Sequence, residues 1–167
     1  MMKAIGCLMI ISSTTLTGYY LSIVIKKRVR LFEELALFSE NIASAIRYQG
    51  ADLYYLIENE SRQMNTSFTK KITAYLQQTT NIKESFEKVL QEISFSHGLS
   101  KEDKSVIMQF AVKLGTTDTE GQLNHCQYYQ KIFSGKARRL HDESLSKSKL
   151  YRSLGFFSGL AVAVVLV

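Results

Sequence analysis

The sequence predicts an all-α fold: an antiparallel bundle of about six helices whose first and last helices extend into a membrane. Three observations carry this. The 167 residues hold no proline and nine glycines among abundant Leu, Ile, Lys, Glu, Ser and Gln, a composition of helices rather than of a turn-rich sheet. Apolar residues recur at helical spacing from Leu31 onward. Two uncharged runs, residues 4–25 and 154–167, bracket everything else. The length suits one domain, divided into an N-terminal transmembrane helix (1–25), a cytoplasmic helical bundle (26–150) and a short C-terminal transmembrane helix (151–167).

The first uncharged run is long enough to span a bilayer at about 1.5 Å per helical residue. Ser12, Ser13, Thr14, Thr15, Thr17 and Ser22 dilute it, but such hydroxyls can bond back to helix carbonyls. A cleaved signal peptide is the rival reading. It fits less well, because the apolar run continues through "GYYLSIVI" with no small-residue cleavage site. Beyond the charges at 26–30 the same helix is expected to continue through Leu31, Leu35, Phe38, Ile42, Ala45 and Ile46 to about Tyr48, where Gly50 can stop it. Leu53, Leu56, Ile57 and Met64 mark a second helix, ended by "MNTS"; Phe68, Ile72, Tyr75 and Leu76 mark a third. Asn81 with Glu84 reads as a capping box opening a fourth helix with Phe86, Val89, Leu90 and Ile93 inside. Ser100 and Asp103 start a fifth, containing Val106, Ile107, Phe110 and Leu114, with Gly115 as its C-terminal cap. Thr117 with Glu120 then opens a last helix through Leu123, Cys126, Phe133, Ala137 and Leu140 into the final apolar run. Short breaks between helices imply antiparallel neighbours.

That final run is short. Its fourteen residues reach only about 21 Å of a hydrocarbon layer of about 30 Å, and starting at Leu150, with Tyr151 at the headgroups and Arg152 snorkelling, gives about 27 Å. Local thinning or packing on a neighbouring helix can absorb the difference. Gly155, Gly159 and Ala163, four apart, form a small-residue stripe for such packing, and Gly6, Ser13, Thr14, Thr17 and Gly18 give the first segment a small face too. An intramembrane hairpin between the two ends is the resulting expectation.

The net charge of +6 is concentrated beside those ends. Lys26, Lys27, Arg28 and Arg30 form one cluster, and Lys136, Arg138, Arg139, Lys147, Lys149 and Arg152 form the other. This distribution argues against a nucleic-acid surface and for a protein whose basic residues flank membrane helices on the cytoplasmic side. The same residues suit anionic phospholipid headgroups. The chain ending at Val167 then leaves almost nothing to translocate. Cys7 and Cys126 lie far apart, which disfavours a disulfide framework and fits a reducing compartment.

Reactive chemistry is sparse. His97, His125 and His141 show no metal-ligand spacing, and no metal or cofactor is expected. "LGTTDTEG" lacks the lysine of a phosphate loop. Cys126 reads as a buried core thiol, and Glu33, Glu34, Asp142 and Glu143 as solvated faces. No residue set supports catalysis or a small-molecule substrate.

Several motifs resemble those of the stage III sporulation protein AB family of endospore-forming bacteria. "KLGTTDTEGQLNH" resembles its Leu-Gly, Asp, Gln pattern through Leu114, Gly115, Asp118 and Gln122. "SKSKLYRSLGFFSGLAVAVVLV" resembles its approach to the last helix through Lys149, Tyr151, Leu154 and Gly155. "AIRYQGADL" is similar to a third stretch, with Ala45 where an acidic residue is usual and Asp52 in place of a proline. The resemblance implies a cytoplasmic domain like that of the F-type platform protein of type II secretion. It implies a non-enzymatic membrane-anchored adaptor of a secretion-like channel, or feeding tube, between mother cell and forespore, with other channel proteins and a secretion-like ATPase of the same operon as partners. The 115–122 turn, with Leu114, is then a candidate partner contact. A membrane-tethered ligand-sensing bundle is the alternative function; a membrane-surface enzyme would need a reactive constellation the sequence lacks.

Overall fold

The computed structural model of the chain describes the backbone of residues 2–49, 52–79 and 81–166, and the side chains of all of these except 2–8, 10, 11, 49, 146–149, 151, 152 and 155–166. Six helices follow in order, and there is no strand among the described residues: α1 (Met2–Gln49), α2 (Leu53–Met64), α3 (Ser67–Thr79), α4 (Ile82–Ile93), α5 (Lys101–Lys113) and α6 (Thr119–Leu166). The expected helix count and order are met. Helices α1 and α6 have 48 residues each, so each is about 72 Å long. They pack antiparallel as a spine, and the four short helices zigzag against one half of it, each touching the next.

Capping chemistry sets most of the boundaries. Asp52 caps α2 by accepting from the Tyr54 N–H at 3.0 Å, and α2 ends where Asn65 turns left-handed at φ 49°. Asn81 accepts from the Glu84 N–H at 3.1 Å, but the reciprocal half of the expected box is replaced by a Glu84–Lys88 ion pair at 2.9 Å. At Ser100 the box is complete: the Ser100 hydroxyl accepts from the Asp103 N–H at 3.1 Å, and the Asp103 carboxylate accepts from the Ser100 N–H at 2.9 Å. The cap of α6 differs from expectation. Asp118, not Thr117, takes that role, accepting from the Gly121 N–H at 3.1 Å. A carboxylate is a charged acceptor at the positive end of the helix dipole and out-competes the hydroxyl beside it.

The core runs through fully buried aromatic rings on four helices. Phe38 of α1 meets Phe86 of α4 at 6.3 Å, Phe86 meets Phe110 of α5 at 6.1 Å, Phe110 meets Phe133 of α6 at 5.4 Å, and Phe133 returns to Phe32 of α1 at 6.1 Å. All fall within the range of favourable ring pairs, so a single aromatic chain joins α4 and α5 to the spine. Leu35, Ile42, Leu56, Ile57, Ile72 and Leu76 fill the spaces around it.

The bundle covers only the half of the spine beyond about Ser22. Gly98, in the α4–α5 turn at φ +58°, lies so close to α1 that a Cβ there would sit 2.7 Å from Val24 Cγ1. The bundle therefore reaches back past the expected boundary at residue 25. Beyond it, Gly18 and Ser22 are buried on the α1 face turned toward α6, with Thr14 half-buried one turn earlier. Ser13 and Thr17, expected on that small face, are exposed instead. Gly6, Gly155, Gly159 and Ala163 lie outside the residues whose side chains are described. Among the described residues, no helix is long and apolar enough to cross a membrane; the hydroxyls of residues 12–17 dilute α1.

Candidate functional site

The two ends of the bundle differ in chemistry. At the distal end, farthest from the chain termini, the close of α1, the start of α2 and the α5–α6 turn converge. Gly115 takes φ +82° immediately after α5, a backbone that favours glycine, and Leu53 Cδ2 would lie 3.6 Å from a Cβ there. The Gly115 N–H donates to Gln122 Oε1 at 3.0 Å. The Gln122 amide in turn donates to Thr117 Oγ1 at 2.9 Å and to the Lys113 carbonyl at 3.3 Å. Gln122 is buried and thus ties the end of α5 to the start of α6 across the turn. Leu114 is buried as well, in the core. Of the four candidate contact residues, Leu114 and Gln122 build the corner, Gly115 permits it, and Asp118 stands exposed at its tip.

A hollow of about 320 Å³ opens at this corner, lined by Ile46, Asp52, Leu53, Leu56, Gly115, Thr117, Thr119 and Gln122. Residues from "AIRYQGADL" and from "KLGTTDTEGQLNH", some seventy positions apart in the chain, thus share one surface. Tyr48, Tyr55 and Tyr128 are well exposed, and so are Thr116 to Glu120, which carry two carboxylates.

The proximal end carries the basic residues, but they are not equivalent. Lys26, Lys27, Arg30, Arg138 and Arg139 are exposed; the side chains of Lys147, Lys149 and Arg152 lie outside those described. Arg28 and Lys136 are engaged in the bundle. Asp103, fully buried, has Arg28 Nη2 at 2.8 Å from one carboxylate oxygen and Lys136 Nζ at 2.8 Å from the other. The Lys136 contact is an ion pair without directed hydrogen-bond geometry, and Arg28 Nε has no hydrogen bond. Lys136, itself buried, also reaches Glu102 at 2.9 Å and lies over the Phe32 ring at 5.4 Å. Burial alone would raise the Asp103 carboxyl, but Lys136, Arg28 and the Ser100 N–H together hold it below the usual carboxylate range. Lys136 is accordingly a structural cation, unlike the headgroup ligand expected from its place in the basic run. The sequence marked Asp103 only as a helix start, and nothing in its spacing disclosed two cations converging on it.

Cys126 and His125 are both engaged in the core. Cys126 is buried and its thiol is pushed up to about 12 by burial, as a core thiol should be. His125 Nε2 pairs with the Phe110 carbonyl at 2.9 Å while its ring stacks on Phe110 at 5.6 Å. Among the described residues no group of three or more His, Cys, Asp or Glu side chains could hold a metal ion.

The sequence model of the family described as Stage III sporulation protein AB (spore_III_AB) matches residues 3–167. This chain belongs to that family. It is 22% identical over 171 aligned residues to Stage III sporulation protein AB of Bacillus subtilis (strain 168), with the whole of both chains covered. No solved structure matches it significantly. The family resemblance seen in three short motifs therefore extends along the whole chain, and two of those motifs are the ones that meet at the distal corner.

Proposed function

We propose that the protein is a non-enzymatic, membrane-anchored adaptor of a secretion-like channel that serves spore development. In this reading the proximal end of the spine is held in the mother-cell membrane with the bundle on the cytoplasmic side, and the distal corner receives a secretion-like ATPase or another channel protein. The observation that carries the membrane half is the set of exposed large apolar side chains on the α1–α6 pair beyond the bundle, interspersed with the exposed hydroxyls of Ser12, Ser13, Thr15 and Thr17. Met9, Leu16, Leu21, Leu145, Leu150 and Leu154 point outward, whereas Gly18 and Ser22 face inward. A water-soluble helix pair does the reverse; small residues inside and large apolar ones outside is the packing logic of lipid. A diluting hydroxyl can be satisfied within the helix, as Thr17 Oγ1 is by donating to the Ser13 carbonyl at 2.9 Å. Pairing offsets the marginal apolarity of each segment.

The adaptor half rests on family membership, on the hollow where two family-like motifs meet, and on exposed Tyr48 and Tyr55, each two positions along the chain from a residue lining it. Tyrosine is a residue type suited to an interface. In-frame deletion in the host should arrest sporulation after forespore engulfment. Restoration by the full gene, but not by one ending before Leu154, would support the reading; heat-resistant spores at normal yield would sink it. Tyr48→Ala and Tyr55→Ala should weaken capture of the operon's ATPase or channel proteins by the full chain in detergent. Capture at the unaltered level would move the partner surface elsewhere.

A further inference from the structure

Phe95 is 86% exposed, in the turn between α4 and α5. A single exposed apolar residue is ordinary on a soluble surface; the place and rigidity of this one are what distinguish it. The turn is fixed by backbone hydrogen bonds from the His97 N–H to the Ile93 carbonyl at 3.0 Å, from Gly98 to Phe95 at 3.2 Å and from Leu99 to Ser94 at 3.0 Å. Leu99 packs on the core, and Gly98 rests on Val24 with no room for a Cβ. Phe95 is therefore held outward at the level where α1 leaves the bundle. Exposed Lys26 and Lys27 lie on α1 at that level, and exposed Lys101 opens the helix that follows the turn.

We propose that the 94–100 turn is a lipid-contacting foot: Phe95 enters the acyl–headgroup boundary of an anionic bilayer while Lys26, Lys27 and Lys101 meet its phosphates. This rests on the membrane reading above and adds to it a third point of attachment, outside the two long helices. Apolar side chains beside cations are the composition that settles at that boundary. The neighbouring polar groups of the turn are already satisfied, with Ser96 Oγ donating to the Ile93 carbonyl at 3.1 Å and His97 Nδ1 beside the same carbonyl at 3.2 Å. Approach to lipid strands neither of them. Three contacts also fix what two cannot: the tilt of the bundle about the spine.

The chain contains no tryptophan, so Phe95→Trp gives the full-length protein a single reporter. It is reconstituted into phosphatidylglycerol–phosphatidylcholine vesicles with brominated acyl chains, beside Tyr55→Trp as a distal control, and vesicle association is read by flotation. The expected result is flotation of both variants, with quenching at position 95 about threefold stronger than at 55 and a blue-shifted emission. Flotation with equal, weak quenching at both positions overturns the foot and leaves the membrane reading standing. Failure of either variant to float overturns both.

Discussion

Removing the Asp103 carboxylate tests whether the satellites are locked to the spine by charge as well as by packing. In Asp103→Ala, Arg28 and Lys136 lose the fully buried acceptor that each approaches to 2.8 Å, and the Ser100 N–H loses its cap. Breaking a buried ion pair by deleting one partner costs about 3–5 kcal/mol. Arg28 is about a quarter exposed and can rehydrate, and Lys136 keeps Glu102, which places the loss near the lower bound, about 3 kcal/mol. With a urea slope of about 1.5–2 kcal/mol/M for a chain of this size, the unfolding midpoint should fall by about 1.5–2 M. The measurement is urea unfolding of the full chain in mild detergent, followed by far-UV circular dichroism. Asp103→Leu combined with Lys136→Met should recover much of the loss, because it removes the stranded charge along with its partner. A midpoint within about 0.3 M of the parent for Asp103→Ala, or a double variant no better than the single one, would refute the ion-pair argument. The pH dependence carries the same sign: a carboxylate whose folded pKa is depressed contributes stability above its unfolded value of about 3.9, lost as pH falls through the folded value. The acid limb of the parent should therefore be steeper than that of the Asp103→Leu/Lys136→Met protein.

Gly98→Ala should destabilise by about 2 kcal/mol, from the left-handed φ and the Val24 clash together; adding Val24→Ala should relieve the clash alone, read by thermal melting. Gln122→Ala should cost about 2 kcal/mol by stranding the Gly115 N–H and opening the α5–α6 corner, seen as faster amide exchange at residues 113–117. Burial raises the Glu60 carboxyl by penalising its charged form, so Glu60→Gln should stabilise slightly at neutral pH, with the gain disappearing in acid as the parent's carboxyl protonates; the check is thermal melting across pH. In a Cys7→Ser background, Cys126 should label with maleimide only as fast as the bundle unfolds, since it is buried and its thiol is pushed up to about 12.

Periodicity made the helices legible in the sequence. Leu35, Phe38, Ile42 and Ile46 repeat at the spacing that buries them all on one face of α1, and Ser100 and Gly115 mark the two ends of α5 through chemistry that acts within a turn of the chain. The misses lie where distant groups compete. Lys136 sits in a run of basic residues and looks like its neighbours, but α6 turns it toward Asp103, 33 positions earlier in the chain. Asp118 rather than Thr117 caps α6: two adjacent acceptors can serve the same N–H groups, and the sequence reading chose the hydroxyl over the stronger, charged acceptor. Of the small residues expected inward on α1, Thr14 and Gly18 turn in and Ser13 and Thr17 turn out, since a stripe of small residues does not say which side of it meets the neighbouring helix. The distal corner was marked in the sequence as two separate motifs; that they form one surface follows only from the fold.

The two long helices make the arrangement mechanically direct. A helix is stiff along its axis, and α1 runs without a break from the apolar proximal segment to the distal corner, as does α6 in the opposite sense. Four short helices could not by themselves carry a force between those ends, because each ends in a turn. Their contribution is lateral: the Phe38–Phe86–Phe110–Phe133 chain and the Asp103 ion pairs clamp α4 and α5 to the two spine helices, so sliding α1 against α6 would tear ring contacts and expose a buried carboxylate. A load applied at the 115–122 corner therefore reaches the proximal end as movement of the whole body. In the adaptor role proposed above, that resistance to internal shear would matter more than any pocket. The buried Asp103–Lys136 pair at the clamp would add to this by favouring one register of α5 against α6 over a slipped one.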